Sequence, residues 1–326
     1  MGKRNWGIFL GTLVIIAVFP WLVKPVKAIS HYLDVMVFAG IFSLVSIGLS
    51  MLMGYAGQVS LAQAAFFGIG AYTSGILTSR LGFNPWAAMP VGILASMLVA
   101  WLLGIPALRL KGHYLAMATL GFGVIVTIIL NEEVQWTGGP SGMGDIPSLS
   151  VAGVKVTSEM GYYYVVWSMV FLALLFCFHV LHSRVGRALR AIHEEEMAAE
   201  AMGVPTARFK IQVFVLGAAF AALAGSLYTH YVTFLNPASF NLMWSIRFLL
   251  MVMVGGMQSL WGALLGTVLM TFVGNEWLHV FAEFEILVYG AILLVVALLL
   301  PKGLVSLISL GGSPRKVRVP LTDGSS

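Results

Sequence analysis

Apolar residues in this chain fall in long uninterrupted runs instead of alternating with polar ones. Ten runs stand out: Trp6 to Val23, Leu33 to Met53, Val59 to Thr78, Ala87 to Ile105, Tyr114 to Leu130, Tyr162 to Leu181, Ile211 to Phe234, Phe248 to Leu260, Gly262 to Val280 and Ile286 to Leu300. A helix needs about 20 residues to cross a bilayer. Continuous runs predict such helices, whereas a membrane barrel would alternate with period two. The eighth and tenth runs are short. Between Leu33 and Leu130 the formal charges are Asp34, Arg80, Arg109 and Lys111, each at the end of a run, where long side chains reach the interface. The pattern predicts one all-α integral membrane domain over residues 1–326, a polytopic bundle of about ten spans, eight at the fewest. The first run exceeds a signal-peptide core of about 7–15 residues and ends without a small-x-small site, so it reads as a retained helix.

Composition agrees and narrows the class. Of 326 residues, 59% are hydrophobic and 10% charged, with a mean hydropathy of +0.94, against about 45–50% and about 25% in soluble domains. That is too little polar side chain to cover a water-facing surface of this size. Cys177 is the single cysteine, which excludes an internal disulfide and cysteine-based metal sites. The net charge of +5 fits basic loops on the cytoplasmic side and needs no nucleic-acid partner. Ten spans with both termini in the cytoplasm put Lys3, Arg4, Arg109, Lys111, the basic residues of 184–210 and a flexible tail over 311–326 inside. The acidic segments Glu132 to Glu159 and Glu276 to Glu285 then lie outside. Lys24, Lys27 and Arg80 run against this orientation.

One loop holds much of the charge. Of 18 Lys and Arg and 13 Asp and Glu, nine lie between His182 and Lys210. The loop predicts a short helix: Glu194, Glu195 and Glu196 at its N-terminal turn, where the helix dipole favours negative charge, and a stop at Gly203 and Pro205. Met197, Ala198, Ala201 and Met202 fall on one side, with Glu196 and Glu200 as an i, i+4 pair on another. Such an element is a helix on the lipid surface, a solvated loop helix, or a docking helix for a partner. Its acidic face disfavours the first, since anionic headgroups attract Lys and Arg.

The string Arg187-Ala-Leu-Arg-Ala-Ile-His-Glu-Glu-Glu-Met-Ala-Ala-Glu-Ala-Met-Gly-Val204 resembles the cytoplasmic loop of the permeases of branched-chain amino acid ABC importers, LivM type. Gly54-Tyr-Ala-Gly-Gln-Val-Ser-Leu-Ala-Gln-Ala-Ala-Phe-Phe-Gly-Ile-Gly-Ala-Tyr72 resembles the N-terminal signature of that family. Thr137-Gly-Gly-Pro-Ser-Gly142, with Ile146 and Pro147, resembles its external loop. The resemblance spans roughly Val37 to Leu310. The resemblance implies the permease fold of an ABC importer and a coupling loop at 182–210 that seats on an ATPase, with Arg190, Glu194, Glu195, Glu196, Met197, Glu200, Ala201 and Gly203 as its docking residues. The family motif places Glu-Ala-Ala further from the Gly than Glu200 and Ala201 stand from Gly203, so the loop's role carries over and not each position. Ala62 and Gln63 stand where relatives often have Gly and His, so no histidine role carries over. The implied partners are a second permease of LivH type, two ABC ATPases that bind the ATP, an external substrate-binding protein and membrane lipid. The chain itself is expected to hold no cofactor, and its expected cargo is leucine, isoleucine and valine.

The Gly54 to Gly75 segment is rich in glycine and alanine, which let another backbone approach closely, and it contains Gln58, Ser60 and Gln63. It reads either as helix packing or as a broken element lining a path. Gln58, Ser60, Gln63, Gly68 and Ser259 are the path candidates. Gly57-x-x-Ser60-Leu61-x-x-Ala64 recurs as Gly256-x-x-Ser259-Leu260-x-x-Ala263, with both copies expected to run in the same direction. The histidines, carboxylates and Arg247 sit near run ends, leaving no mid-span group for ion coupling. No phosphate-binding G-x-x-x-x-G-K-[ST], metalloprotease or hydrolase motif occurs. The chain is therefore expected to be no enzyme. A permease for urea or short amides, a partner-independent channel, or a membrane scaffold are the other readings.

Overall fold

The computed structural model describes residues 11, 19–21, 31–108, 110, 112–151, 154–155, 158–276, 285–299 and 303–304. Most of the Trp6 to Val23 run, Arg109, Lys111 and the 311–326 tail lie outside the described residues. Helix α1 (Tyr32–Ser50) passes into a wide π-type turn over Met51–Tyr55. It is followed by α2 (Gln63–Ser79), α3 (Pro85–Ala107), α4 (His113–Glu132) and the single turn α5 (Val134–Thr137). A two-residue antiparallel hairpin, β1 (Ser150–Val151) and β2 (Val154–Lys155), interrupts the helices. Then come α6 (Glu159–His182), α7 (Arg184–Glu194), α8 (Glu196–Ala201), α9 (Thr206–Val232), α10 (Leu242–Gly255), α11 (Leu260–Glu276) and α12 (Glu285–Leu299).

The described residues include five segments long and apolar enough to cross a membrane: Tyr32–Tyr55, α3, α4, α6 and α9. The pair α10 and α11, bent by 119°, makes a sixth if counted as one span. Two expected runs are corrected at their edges. The run from Val59 is helical only from Gln63, because residues 57–62 leave helical geometry. The short run from Phe248 becomes a helix that starts earlier, at Leu242, where the Asn241 side chain accepts from Trp244 N–H, and stops at Gly255.

Helix α1 with its π-type end (Tyr32–Tyr55) is the hub, enclosed by protein along almost all of its length. Small residues let its neighbours in. A Cβ on Gly40 would lie 2.6 Å from the Val166 side chain, and one on Gly48 3.1 Å from the Cα of Gly217. Helices α2 and α9 meet even more closely, since Cβ atoms on Gly70 or Gly225 would run into the Ala222 and Phe67 backbones. Without a hydrophobic force between helices in lipid, such backbone approach and hydrogen bonding hold the bundle. The bonds are present: Ser226 Oγ donates to Gly70 C=O (3.1 Å) and Thr229 Oγ1 to Ala71 C=O (3.1 Å). The buried His230 is satisfied on both sides, its Nδ1–H donating to Pro147 C=O (2.8 Å) and its Nε2 accepting from Ser74 Oγ (2.9 Å).

These contacts fix directions. At one end of the bundle lies the 183–205 loop, and at the far end the 133–158 segment. Helix α1 descends toward the loop end and α11 climbs back along it, pairing Tyr32 with Phe272, Ser46 with Thr267 and Ser50 with Met257. Helix α2 climbs beside α9, with Gln63 near Gly217 and Ser74 on His230. Helix α4, with only 22% of its window enclosed, lies at the outside.

The close α2–α9 seam generates a stability prediction. In detergent, Gly225→Ala should lose about 1–3 kcal/mol, because the new methyl meets the Phe67 carbonyl at 1.9 Å. Gly121→Ala, whose methyl meets nothing within 4 Å, should not lower the melting temperature. Thermal unfolding of the two purified variants compares them directly.

Candidate functional site

Two helices are each preceded by a non-α stretch: residues 57–62 lead into α2, and 236–241, with a 3-10 turn over Pro237–Phe240, lead into α10. Residues 57–62 leave the loop end without helical geometry, and α2 begins only at Gln63, beside Gly217. Gly217 lies 11 residues into α9, about 16 Å along its axis. On the other side the chain returns from the far end, where Leu235 pairs with Met143, through 236–241 to α10, which then descends to the loop end. The two helix starts meet mid-bundle, where Ala64 N–H donates to Ser245 Oγ (3.0 Å). Irregular backbone at membrane depth persists only where protein or a cavity surrounds it. Here Leu61 N–H donates to Thr119 Oγ1 (3.0 Å), and Gly68 packs on Phe240, whose Cβ would lie 3.2 Å from an added methyl. The glycine-rich segment is thus interrupted at 57–62, and its glycines are packing contacts.

Among the path candidates, Gln58 and Gln63 are 4% and 1% exposed, and none of their side-chain amide atoms meets a hydrogen-bonding group among the described residues. The nearby Tyr72 hydroxyl shares this state. Ser60 is buried and accepts from Ala62 N–H (3.3 Å), while Ser259 accepts from Gly262 N–H (3.1 Å). These two serines have the same local task, and the glycines three residues before them, Gly57 (φ +66°) and Gly256 (φ +115°), both take left-handed backbone. The repeat is thus a repeat of form, a helix, a break and a returning helix, and both copies turn at the loop end. The helix end just before the first break touches the second break. A Cβ on Gly54 would lie 1.9 Å from Met257 O, Ser50 Oγ donates to Met257 C=O (2.8 Å), and Tyr55 OH donates to Gln258 C=O (2.8 Å).

The loop departs from the single short helix expected of it. Glu194 ends α7, Glu195 is an extended residue between two helices, and Glu196 opens α8. The signal for α7 was in the sequence: Ser183, which accepts from Val185 N–H (3.1 Å), followed by Val185, Leu189 and Ile192 at i, i+4, i+7. Gly186 seats α7 on the Leu181 carbonyl, to which Arg190 also donates (3.2 Å). Glu196 pairs with Lys210 at the start of α9. The apolar side of α8 points away from the protein: Met197 and Met202 are 70% and 85% exposed, Ala198 and Ala201 are exposed, and Ala199 faces inward. Glu194, Glu195, Glu200 and Arg190 are exposed beside them. Gly203 closes α8 in left-handed backbone (φ +82°) with open space around it.

Arg247 is a correction. It was expected near the end of a run, but α10 starts mid-bundle, so Arg247, two residues beyond Ser245, lies at depth with its guanidinium 4.8 Å from the Trp244 ring. The expectation failed because it counted from Phe248 and missed the return of the chain through 236–241.

A many-helix apolar bundle with broken spans and an outward-facing charged loop defines a multi-pass membrane protein of the transporter class. The family model for the branched-chain amino acid transport system permease component matches residues 31–297, and the chain belongs to that family. It is 33% identical to the high-affinity branched-chain amino acid transport system permease protein LivM of Salmonella typhimurium, over 91% of this chain and 74% of that protein. Its identity to the LivM protein of Escherichia coli K12 is 32% over the same shares. The LivH permease protein of S. typhimurium is 26% identical over 81% of this chain and 90% of its own length. No solved structure matches the chain significantly.

The Glu196–Lys210 pair gives the loop a testable rigidity. Glu196→Gln should loosen α8 by about 1 kcal/mol, roughly fivefold in hydrogen-exchange protection over 196–202, while Glu200→Gln leaves it unchanged. Exchanging the charges, Glu196→Lys with Lys210→Glu, should restore protection.

Proposed function

We propose that this chain is the membrane-spanning permease subunit of an ATP-driven ABC importer for branched-chain amino acids. In this reading it has about ten spans, with the Trp6 to Val23 and Ile286 to Leu300 runs among them, and both termini face the cytoplasm of a prokaryotic cell. It pairs with a second permease of LivH type. Two ATPases bind and hydrolyse the ATP beneath the pair, and an external binding protein delivers the substrate above it.

The observation that carries the reading is the loop's outward apolar face. Met197 and Met202 stand almost fully exposed on an element that is otherwise charged and held rigidly by Gly186, Arg190 and the Glu196–Lys210 pair. Flexible, polarisable methionines on an exposed surface suit a protein partner, and the acidic surround suits basic groups on it. The sequence carries no nucleotide cradle, so a partner is the source of energy.

The path follows the two broken spans. A branched-chain amino acid has a zwitterionic end that is costly to strip of water and an apolar side chain that is not. A buried amide without a partner costs about 1–3 kcal/mol. Gln58 and Gln63 carry four such atoms between the loop end and mid-bundle, so they are free to hydrogen-bond the passing charged end and release it. Uncharged partners bind weakly enough for conduction. Closure of the ATPases would rock the docked loops and switch the path from one side to the other.

Purification from native membranes is expected to bring down two ATPases and a second permease, and the complex in liposomes should take up leucine, isoleucine and valine only with ATP. Uptake by this chain alone without ATP would contradict the reading, and uptake of urea in place of amino acids would move the substrate. Replacing Gly203 with Trp, or Glu200 with Lys, should remove the ATPases from the purified complex. Gln63→Leu should lower uptake about tenfold while leaving thermal stability equal or higher, since it removes unpaired buried polar atoms. Lower stability with unchanged uptake would assign Gln63 to packing.

A further inference from the structure

His193 stands where three elements meet. It is the penultimate residue of α7, immediately before the break between the two loop helices. On one side its ring lies against Gly57, the left-handed residue at which the first broken span leaves helical geometry. A Cβ placed there would sit 3.0 Å from His193 Nδ1 and 3.7 Å from its Cα. On the other side its Nε2 accepts a hydrogen bond from the Gln258 side-chain amide (3.1 Å), in the break between α10 and α11. One imidazole of the loop therefore touches both helix breaks.

The second break is also tied to the helix end that precedes the first. Gly54 packs on the Met257 carbonyl, and Ser50 and Tyr55 donate to Met257 and Gln258. The loop side is equally well anchored: Leu189 and Ile192 are buried, Gly186 sits on the Leu181 carbonyl, and Arg190 donates to it. A displacement of α7 thus reaches Gly57 and Gln258 through His193. Next to the junction, a cleft of about 220 Å³ lined by Tyr55, His182, Arg190, Gln258, Ser259 and Trp261 leaves room for that shift. Above Gly57 lies the irregular segment with Gln58 and Ser60, and above Gln258 lie Gly256 and α10.

We propose that His193 is the positioning residue that couples the loop to both broken spans, so that a push on α7 and α8 moves the 57–62 and 256–259 breaks together. The inference rests on the reading of the loop as an ATPase dock, and it adds the route by which movement leaves the loop. His193 is exposed at this junction, with its ring directed at Gly57 and Gln258.

The test uses the intact complex purified from native membranes and reconstituted in liposomes, with labelled leucine uptake and ATP hydrolysis measured on the same preparation. His193→Ala removes a hydrogen bond and a ring contact. It should lower leucine transported per ATP hydrolysed about fivefold, with the ATPases still bound and hydrolysis near the wild-type rate. His193→Gln, whose side-chain oxygen can accept from Gln258, should recover most of the ratio. Gln258→Leu should reproduce the defect, and the double variant His193→Ala with Gln258→Leu should be no worse than either single one, as expected of residues in one contact. An unchanged ratio in His193→Ala, or additive losses without rescue by glutamine, would overturn the proposal while leaving the docking reading intact. If the wild-type chain purifies without any ATPase, the docking reading and this inference fall together.

Discussion

The contact on which this architecture turns is between the π-type end of the first span and the break that separates α10 from α11. Gly54 comes against the Met257 carbonyl so closely that any side chain at position 54 would occupy the same space. The closeness has a physical reason. Inside a membrane a broken helix exposes N–H and C=O groups that lipid cannot satisfy, so a break must be enclosed by protein. The end of the first span supplies donors to the second break, Ser50 and Tyr55 donating to the Met257 and Gln258 carbonyls. The small residues of α1, α2 and α9 extend the same economy through the bundle, bringing backbones near enough for hydroxyls to reach carbonyls in the next helix.

Breaking two spans places two helix starts mid-bundle, with Ala64 and Ser245 in contact, and leaves two glutamines buried without partners. A protein whose purpose was stability alone would have replaced Gln58 and Gln63 with apolar residues. Buried polar groups left without described partners in an otherwise well-packed bundle are what the proposed path would use. Arg247 and Trp244 border the same region from α10. The proposed path thus joins the two irregular half-spans, and the loop that would drive it touches both at their lower ends.

The sequence was most legible where one period governs. Long apolar runs located most of the described helices, and the concentration of charge located the loop. The segments Gly54 to Tyr72 and Arg187 to Val204 carried the family, which the match over residues 31–297 bears out. Less legible were the interruptions. Residues 57–62 are apolar enough to pass for helix, and only Gly57 in left-handed backbone marks the change. Residues 236–241, between the runs that end at Phe234 and start at Phe248, form a 3-10 turn leading into an α10 that starts at Leu242, which hid the place of Arg247. In the loop, the run of three glutamates looked like a single helix start, while the pattern Ser183, Val185, Leu189, Ile192 that defines α7 went unread. The contact of His193 with two distant breaks has no sequence signature, because it depends on how α1, α7 and α11 converge.

The central claim is that the irregular 57–62 segment lines a path whose opening the ATPases control. Cysteines placed singly at Val59 and Leu61, with the buried Cys177 left in place, can be labelled from the cytoplasmic side with a membrane-impermeant thiol reagent in the intact complex. The account predicts that labelling at both positions changes severalfold between the nucleotide-free and ATP-bound states, with Gly121→Cys on the outer face of α4 unaffected. Equal labelling in the two states would show a segment that is packed and static, and would contradict it.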